Sequence, residues 1–199
     1  MALNVALRIW LPRQGFVRVP WLVPALEATL LVVLVIGAAG NVARRTPWLR
    51  RAAVALVLLF VLGALWSTSL LVYDLVKGTG VTNSPTKLLA TGAVVWLGNN
   101  LAFGMLFWLM DGGGPVARSL DPRPVDFAFV QHLNPELGLS DWRPVFLDYL
   151  HLGFTNATAF SPTDVMPLSH RAKYTMLVQA SLALALFGLI VARAVNAFT

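Results

Sequence analysis

Cysteine is absent from the chain. Disulfides and thiolate metal sites are therefore excluded, and the redox compartment stays open. Charge is sparse: 12% of the 199 residues are Asp, Glu, Lys or Arg, against ~25% in a soluble domain. Acids are the scarcer sign, 9 against 15 basic residues, for a net charge of +6. No basic run with interleaved aromatics lies in a polar segment, so nucleic acid is not expected as a partner. In so apolar a chain the basic excess belongs to loops and anionic headgroups. What the sequence does have is hydrophobic residues, at 57%, with a mean hydropathy of +0.71. This is the composition of an all-α integral membrane protein, multi-pass in the cell (inner) membrane, with the lipid bilayer as its partner. A single membrane domain over 1–199 is expected.

Four stretches are apolar for long enough to cross a ~30 Å hydrocarbon core as a helix rising ~1.5 Å per residue. They cover approximately 21–40, 52–73, 88–110 and 172–195. Met1 to Pro20 is broken by Pro12 and Gly15 and reads as an interfacial segment rather than a signal peptide. Arg44, Arg45, Arg50 and Arg51 crowd one tight loop, the strongest topological signal in the chain. Asp111-Gly112-Gly113-Gly114-Pro115 has no Gly-Lys-Ser/Thr after it, so it reads as a helix end and turn, not a phosphate loop. The 111–146 stretch carries Phe127, Phe129, Trp142 and other apolar side chains, too many for a free linker. It is expected to fold back as an extramembrane cap.

Polar residues inside spans are functional candidates. Glu27 is the one ionisable residue of the first span; it is such a candidate, or it reaches headgroups. Ser67, Thr68 and Ser69 can bond to carbonyls one turn back or across a helix contact. Asn99 and Asn100 lie mid-span and point about 100° apart, so at least one must face protein or a cavity. An interhelical hydrogen bond is the expected use.

Chemistry that needs clustered side chains finds little here. His132, His151 and His170 lack H-x-x-x-H spacing. Folding could gather His151, Asp148 and Asp164, but no metal site and no cofactor is expected. Ser161 has no Gly-x-Ser-x-Gly elbow around it. Asn156-Ala157-Thr158 matches a glycosylation acceptor, yet it lies in an apolar stretch. No catalytic residue is assigned, and the chain is not read as an enzyme.

The stretch from Asp148 to Asn196 has an order of its own. An apolar run to about Phe160 is too short to cross a bilayer. A turn follows at Ser161-Pro162-Thr163-Asp164, then Pro167, then the run from Ala172 that is long enough. A half-helix near 147–159 and a last span are expected, joined by that turn. This order resembles the pore segment of potassium-type channels, with its pore helix, TVGYGD filter and inner helix. Phe154-Thr155-Asn156-Ala157-Thr158 stands where that family has the end of the pore helix. Asp164 stands where it has the acid closing the filter, and Pro167 where a proline often follows. Ala159, Phe160, Ser161, Pro162 and Thr163 align with TVGYG, so both filter glycines are missing. Such a filter presents backbone carbonyls to dehydrated ions, using glycine angles that other residues resist. Pro162 also fixes its own φ and lacks an N–H. A potassium filter is therefore not expected. The whole chain is also similar to a group of small bacterial four-helix membrane proteins without an assigned function. The shared wording is FTNATAFSPTD, ARAVN and DGGGP.

Two functional classes follow. In the first, the protein is a channel-like homo-oligomer with a degenerate pore loop, passing small ions with weak cation selectivity. Its path would be lined by Thr155, Asn156, Thr158, Ser161, Thr163 and Asp164, whose oxygens suit cations. In the second, it is a non-conducting scaffold or accessory subunit. Ser161-Pro162-Thr163-Asp164 is then simply a helix start, with Ser as N-cap and Pro at the first helical position. With four spans, nine of the 15 basic residues fall on the side of the Arg44–Arg51 loop and the half-helix. The positive-inside rule makes that side cytoplasmic.

Overall fold

A computed structural model describes residues 47–78, 85–114, 124–134, 136, 142–158 and 165–198. The expected first span, at 21–40, lies outside the described residues, as do Glu27, Arg44, Arg45, Ser161, Thr163 and Asp164. What is described is mostly helical. Three helices are long and apolar enough to cross a membrane: Arg51–Lys77, Thr86–Gly113 and His170–Arg193. The protein is a membrane protein with transmembrane helices.

Helix α1, Pro47–Lys77, has proline at its first position, where no N–H is needed. It stops at Gly78, whose φ of 69° suits a residue without Cβ and whose N–H bonds to the Asp74 carbonyl at 2.9 Å. Helix α2, Pro85–Met110, also starts on proline. It gives way to a 3-10 turn at Asp111–Gly113. Gly112, Gly113 and Gly114 all take positive φ there, at 55°, 79° and 95°, which makes the glycine run a helix end and a change of direction. Strand β1, Phe127–Phe129, leads into a short helix α3, Val130–Leu133. Helix α4, Phe146–Thr158, has 13 residues, about 20 Å at ~1.5 Å per residue, too short to cross. Strand β2, Val165–Pro167, precedes the last helix α5, His170–Phe198. β1 and β2 pair antiparallel, Phe127 opposite Pro167 and Phe129 opposite Val165.

The helix start read at Ser161 to Asp164 lies outside the described residues, and Val165–Pro167 follow it. These three residues form β2, for which β1 offers backbone partners. The last helix is capped further on, by Ser169, whose hydroxyl accepts the Ala172 N–H at 3.2 Å.

Two compact units divide the fold, one of residues 1–99 with 184–199, the other of residues 100–183. In the first, Leu71, Leu75, Leu88, Val95 and Leu186 form a core flanked by Val94, Trp96, Leu189 and Ile190. Gly92 faces Ile190 so closely that a Cβ there would fall 2.4 Å from its Cδ1. Asn99 donates to the Thr68 hydroxyl at 2.8 Å, and Thr68 donates on to the Ala64 carbonyl at 2.9 Å. That is the interhelical bond expected of this asparagine. Asn99 Oδ1, Ser67 Oγ and Thr91 Oγ1 are buried without a hydrogen-bond partner among the described residues.

The second unit has an aromatic centre. Phe107 packs edge-on against Phe127, and Tyr149 packs edge-on against both Phe127 and Phe129. Trp142 and His132 close over Phe129 from outside. β1 and the residues at His132 and Trp142 are thus tied together by their rings.

Candidate functional site

The site is built in the second unit around α4. Its entry is fixed by a reciprocal cap: Asp148 Oδ2 accepts the Val145 N–H at 2.7 Å while the Asp148 N–H bonds back to the Val145 carbonyl. Beside this entry lies a buried polar node. Asp111, with no exposed surface, accepts the Asp126 and Phe127 N–H groups on Oδ1 and the Tyr149 hydroxyl on Oδ2. Asp126 is 2% exposed. Its carboxylate accepts two bonds from Arg171, at 2.6 and 2.5 Å, one from Ser169 and one from the Gly112 N–H. The Leu168 N–H bonds to the Asp126 carbonyl at 2.8 Å, and Arg171 also reaches the Met110 carbonyl. Burial pushes the Asp126 carboxyl up, but the Arg171 bonds and charge, the Ser169 hydroxyl and the Gly112 N–H outweigh it and hold the pKa below the ordinary Asp value.

From this node α4 runs back alongside α2. A Cβ on Gly104 would lie 3.2 Å from Leu150 Cα, and one on Gly153 would lie 3.3 Å from the Asn100 carbonyl oxygen. The two glycines let the backbones touch. Asn100 is ~16 Å along α2 from Asp111 at ~1.5 Å per residue. At its far end α4 is held by α5. Asn156 Nδ2 donates to the Met176 carbonyl at 3.0 Å and to Gln179 Oε1 at 2.8 Å. Gln179 Nε2 donates back to the Gly153 carbonyl at 2.9 Å. Asn156 and Gln179 are 5% and 2% exposed. The chain thus leaves the level of Asp111 at Tyr149 and travels ~10 Å to Asn156. By Val165 it is back beside β1.

Asn156 therefore faces α5, where it joins the two helices. Thr155 is half-buried and donates to the His151 and Leu152 carbonyls; Thr158 is exposed and donates to the Phe154 carbonyl. Asn99 and Asn100 are buried, Asn99 against Thr68. His132, His151 and His170 are exposed, and no cluster of three metal-ligating side chains occurs among the described residues. Sequence reasoning misses Asp111, Asp126, Tyr149, Ser169, Arg171 and Gln179. Only Gln179 gives a local signal, as a side-chain amide inside the last apolar run. No family model, curated protein or solved structure matches this chain.

Proposed function

We propose that the protein is a channel-like membrane protein in which α4 is a re-entrant half-helix. The fold would comprise four transmembrane helices, the first near 21–40, with the protein in the cell (inner) membrane as a homo-oligomer. One observation carries this reading: α4 starts at the Asp111 node, reaches its tip ~10 Å away along two membrane-length helices, and the chain returns to the same node at β2. An excursion that enters and leaves on one side needs protein or water around its tip, since irregular backbone is not tolerated against lipid. The tip is the negative end of the helix dipole, which favours a cation in an aqueous path. Thr155 and Thr158 at the tip, with Ser161, Thr163 and Asp164 after it, supply oxygens. Without filter glycines the path would be weakly selective among cations. Asn156 holds the half-helix in place from behind.

A second reading, a non-conducting scaffold or accessory subunit, draws on a different feature. The Thr155 and Thr158 hydroxyls donate to carbonyls of their own helix, and Asn156 faces the protein interior. Ion flux into liposomes holding the purified protein separates the two. Cation flux that falls when Asp164→Asn is introduced supports the path; a wild type that passes nothing supports the scaffold. Re-entrance has its own test in a cysteine-free chain. Cysteines placed at Arg143 and Leu168, both exposed, should react with an impermeant thiol reagent from one and the same side of sealed vesicles.

A further inference from the structure

We infer that Gln179 is a positioning residue that couples the last helix to the tip of the half-helix and thereby sets the ion path; this rests on the pore reading above. A glutamine amide has one accepting and one donating end. Here Oε1 accepts from Asn156 and Nε2 donates to the Gly153 carbonyl, so both ends grip α4 about one turn apart. Asn156 adds a second anchor through the Met176 carbonyl, one turn earlier on α5. All three bonds lie in side chains that are more than nine-tenths buried. In that setting no water replaces a broken bond, so each loss carries its full desolvation cost. A shift of α5 by one residue along its axis, ~1.5 Å, breaks the three together. The tip and this part of α5 consequently move as one body. The contact is directional as well: exchanging donor for acceptor at position 179 sets an oxygen against the Gly153 carbonyl oxygen.

That directionality supplies the test. In Gln179→Glu, a protonated carboxyl still offers C=O to Asn156 and O–H to Gly153, whereas the ionised form only accepts. The ionised form sets an oxygen against the Gly153 carbonyl oxygen, so the clamp should open as pH rises. Gln179→Leu removes it at every pH. Two readouts are taken. Cation flux in liposomes is measured relative to wild type at the same pH. The tip position is read as the distance between spin labels on cysteines at Thr158 and Ser181, both exposed, in this otherwise cysteine-free chain. Wild type should give one narrow distance, and Gln179→Leu a broad one with flux reduced about tenfold or more, the two Gln179 hydrogen bonds being lost together. Gln179→Glu should match wild type at low pH and Gln179→Leu at high pH, which also shows that the variant folds. Equal distances in all three proteins would overturn the clamp. Distances that broaden while flux holds at the wild-type level would overturn the coupling. A wild type without flux retires the pore and the coupling with it, and the distances still decide whether Gln179 holds the tip.

Discussion

Tyr149 and Asp111, neither with any exposed surface, meet through a hydrogen bond of 2.5 Å from the phenol to the carboxylate. The bond joins the first turn of α4 to the 3-10 turn that follows α2. It sits beside the Asp126–Arg171 pair, so one node binds the end of α2, the start of β1, the entry of α4 and the first turn of α5.

Removing the phenol tests how much that node stabilises. Tyr149→Phe keeps the ring against Phe127 and Phe129 and deletes the donor to a buried acceptor, a loss of about 1–3 kcal/mol. A clear drop in thermal unfolding temperature in detergent is expected. A change below about 0.5 kcal/mol would mean that the node is not a stabilising element.

Asp126 links the node to pH. Its folded pKa lies below the ordinary value, so the folded chain binds this proton less readily than the unfolded chain does. The stabilisation is complete above ~3.9, the ordinary Asp value, and is lost as pH falls through the lower folded value. Unfolding temperature followed downward from pH 6 should fall at the acid end in wild type. In Asp126→Asn it should start lower and vary less over that window.

The glycines make a paired prediction. Gly104→Ala would press a methyl group on the Leu150 backbone, at 3.2 Å, and should cost about 1–3 kcal/mol. Gly188 in α5 has nothing within 4 Å of a Cβ. Gly188→Ala should be neutral or stabilise by up to ~1 kcal/mol, as alanine is the better helix former. Unfolding of both variants in one detergent gives the contrast; similar losses at the two sites would contradict the close approach of α4 to α2.

Two buried asparagines should behave differently. Asn99 makes one bond, to Thr68, and leaves Oδ1 without a partner among the described residues. Asn99→Leu loses an average intramembrane bond of ~0.6 kcal/mol and relieves an unpartnered oxygen, so the net change should be small. Asn156→Leu breaks two bonds and leaves the Gln179 carbonyl facing a methyl group, so its unfolding temperature should fall further.

The elements of this fold are legible in the sequence to different depths. A short helix is legible: a half-helix is expected at 147–159 and a 13-residue helix lies at 146–158, because a run too short for the bilayer is bounded by turn residues. The helix ends are less legible. α1 runs from Pro47 to Lys77 and α5 starts at His170, several residues beyond the apolar stretches. Apolar length marks the hydrocarbon layer, and a helix continues through charged residues beyond it. The node is not legible at all. Asp111 and Tyr149, or Asp126 and Arg171, are far apart in the chain, and no local spacing reveals that β1 and β2 will bring them together.

The clamp residues also impose an order on biosynthesis. Gln179 and Met176, which hold the far end of α4, and Arg171, which pairs with Asp126 in the node beside its entry, all leave the ribosome after α4 itself. While the chain is being made, this 13-residue segment has α2 and β1 to lean on but none of the bonds from α5. A helix that short cannot be handed to the bilayer as a span. The three bonds that tie α4 to α5 can therefore form only once the last helix has been made, and a nascent chain halted before Met176 would carry α4 without them.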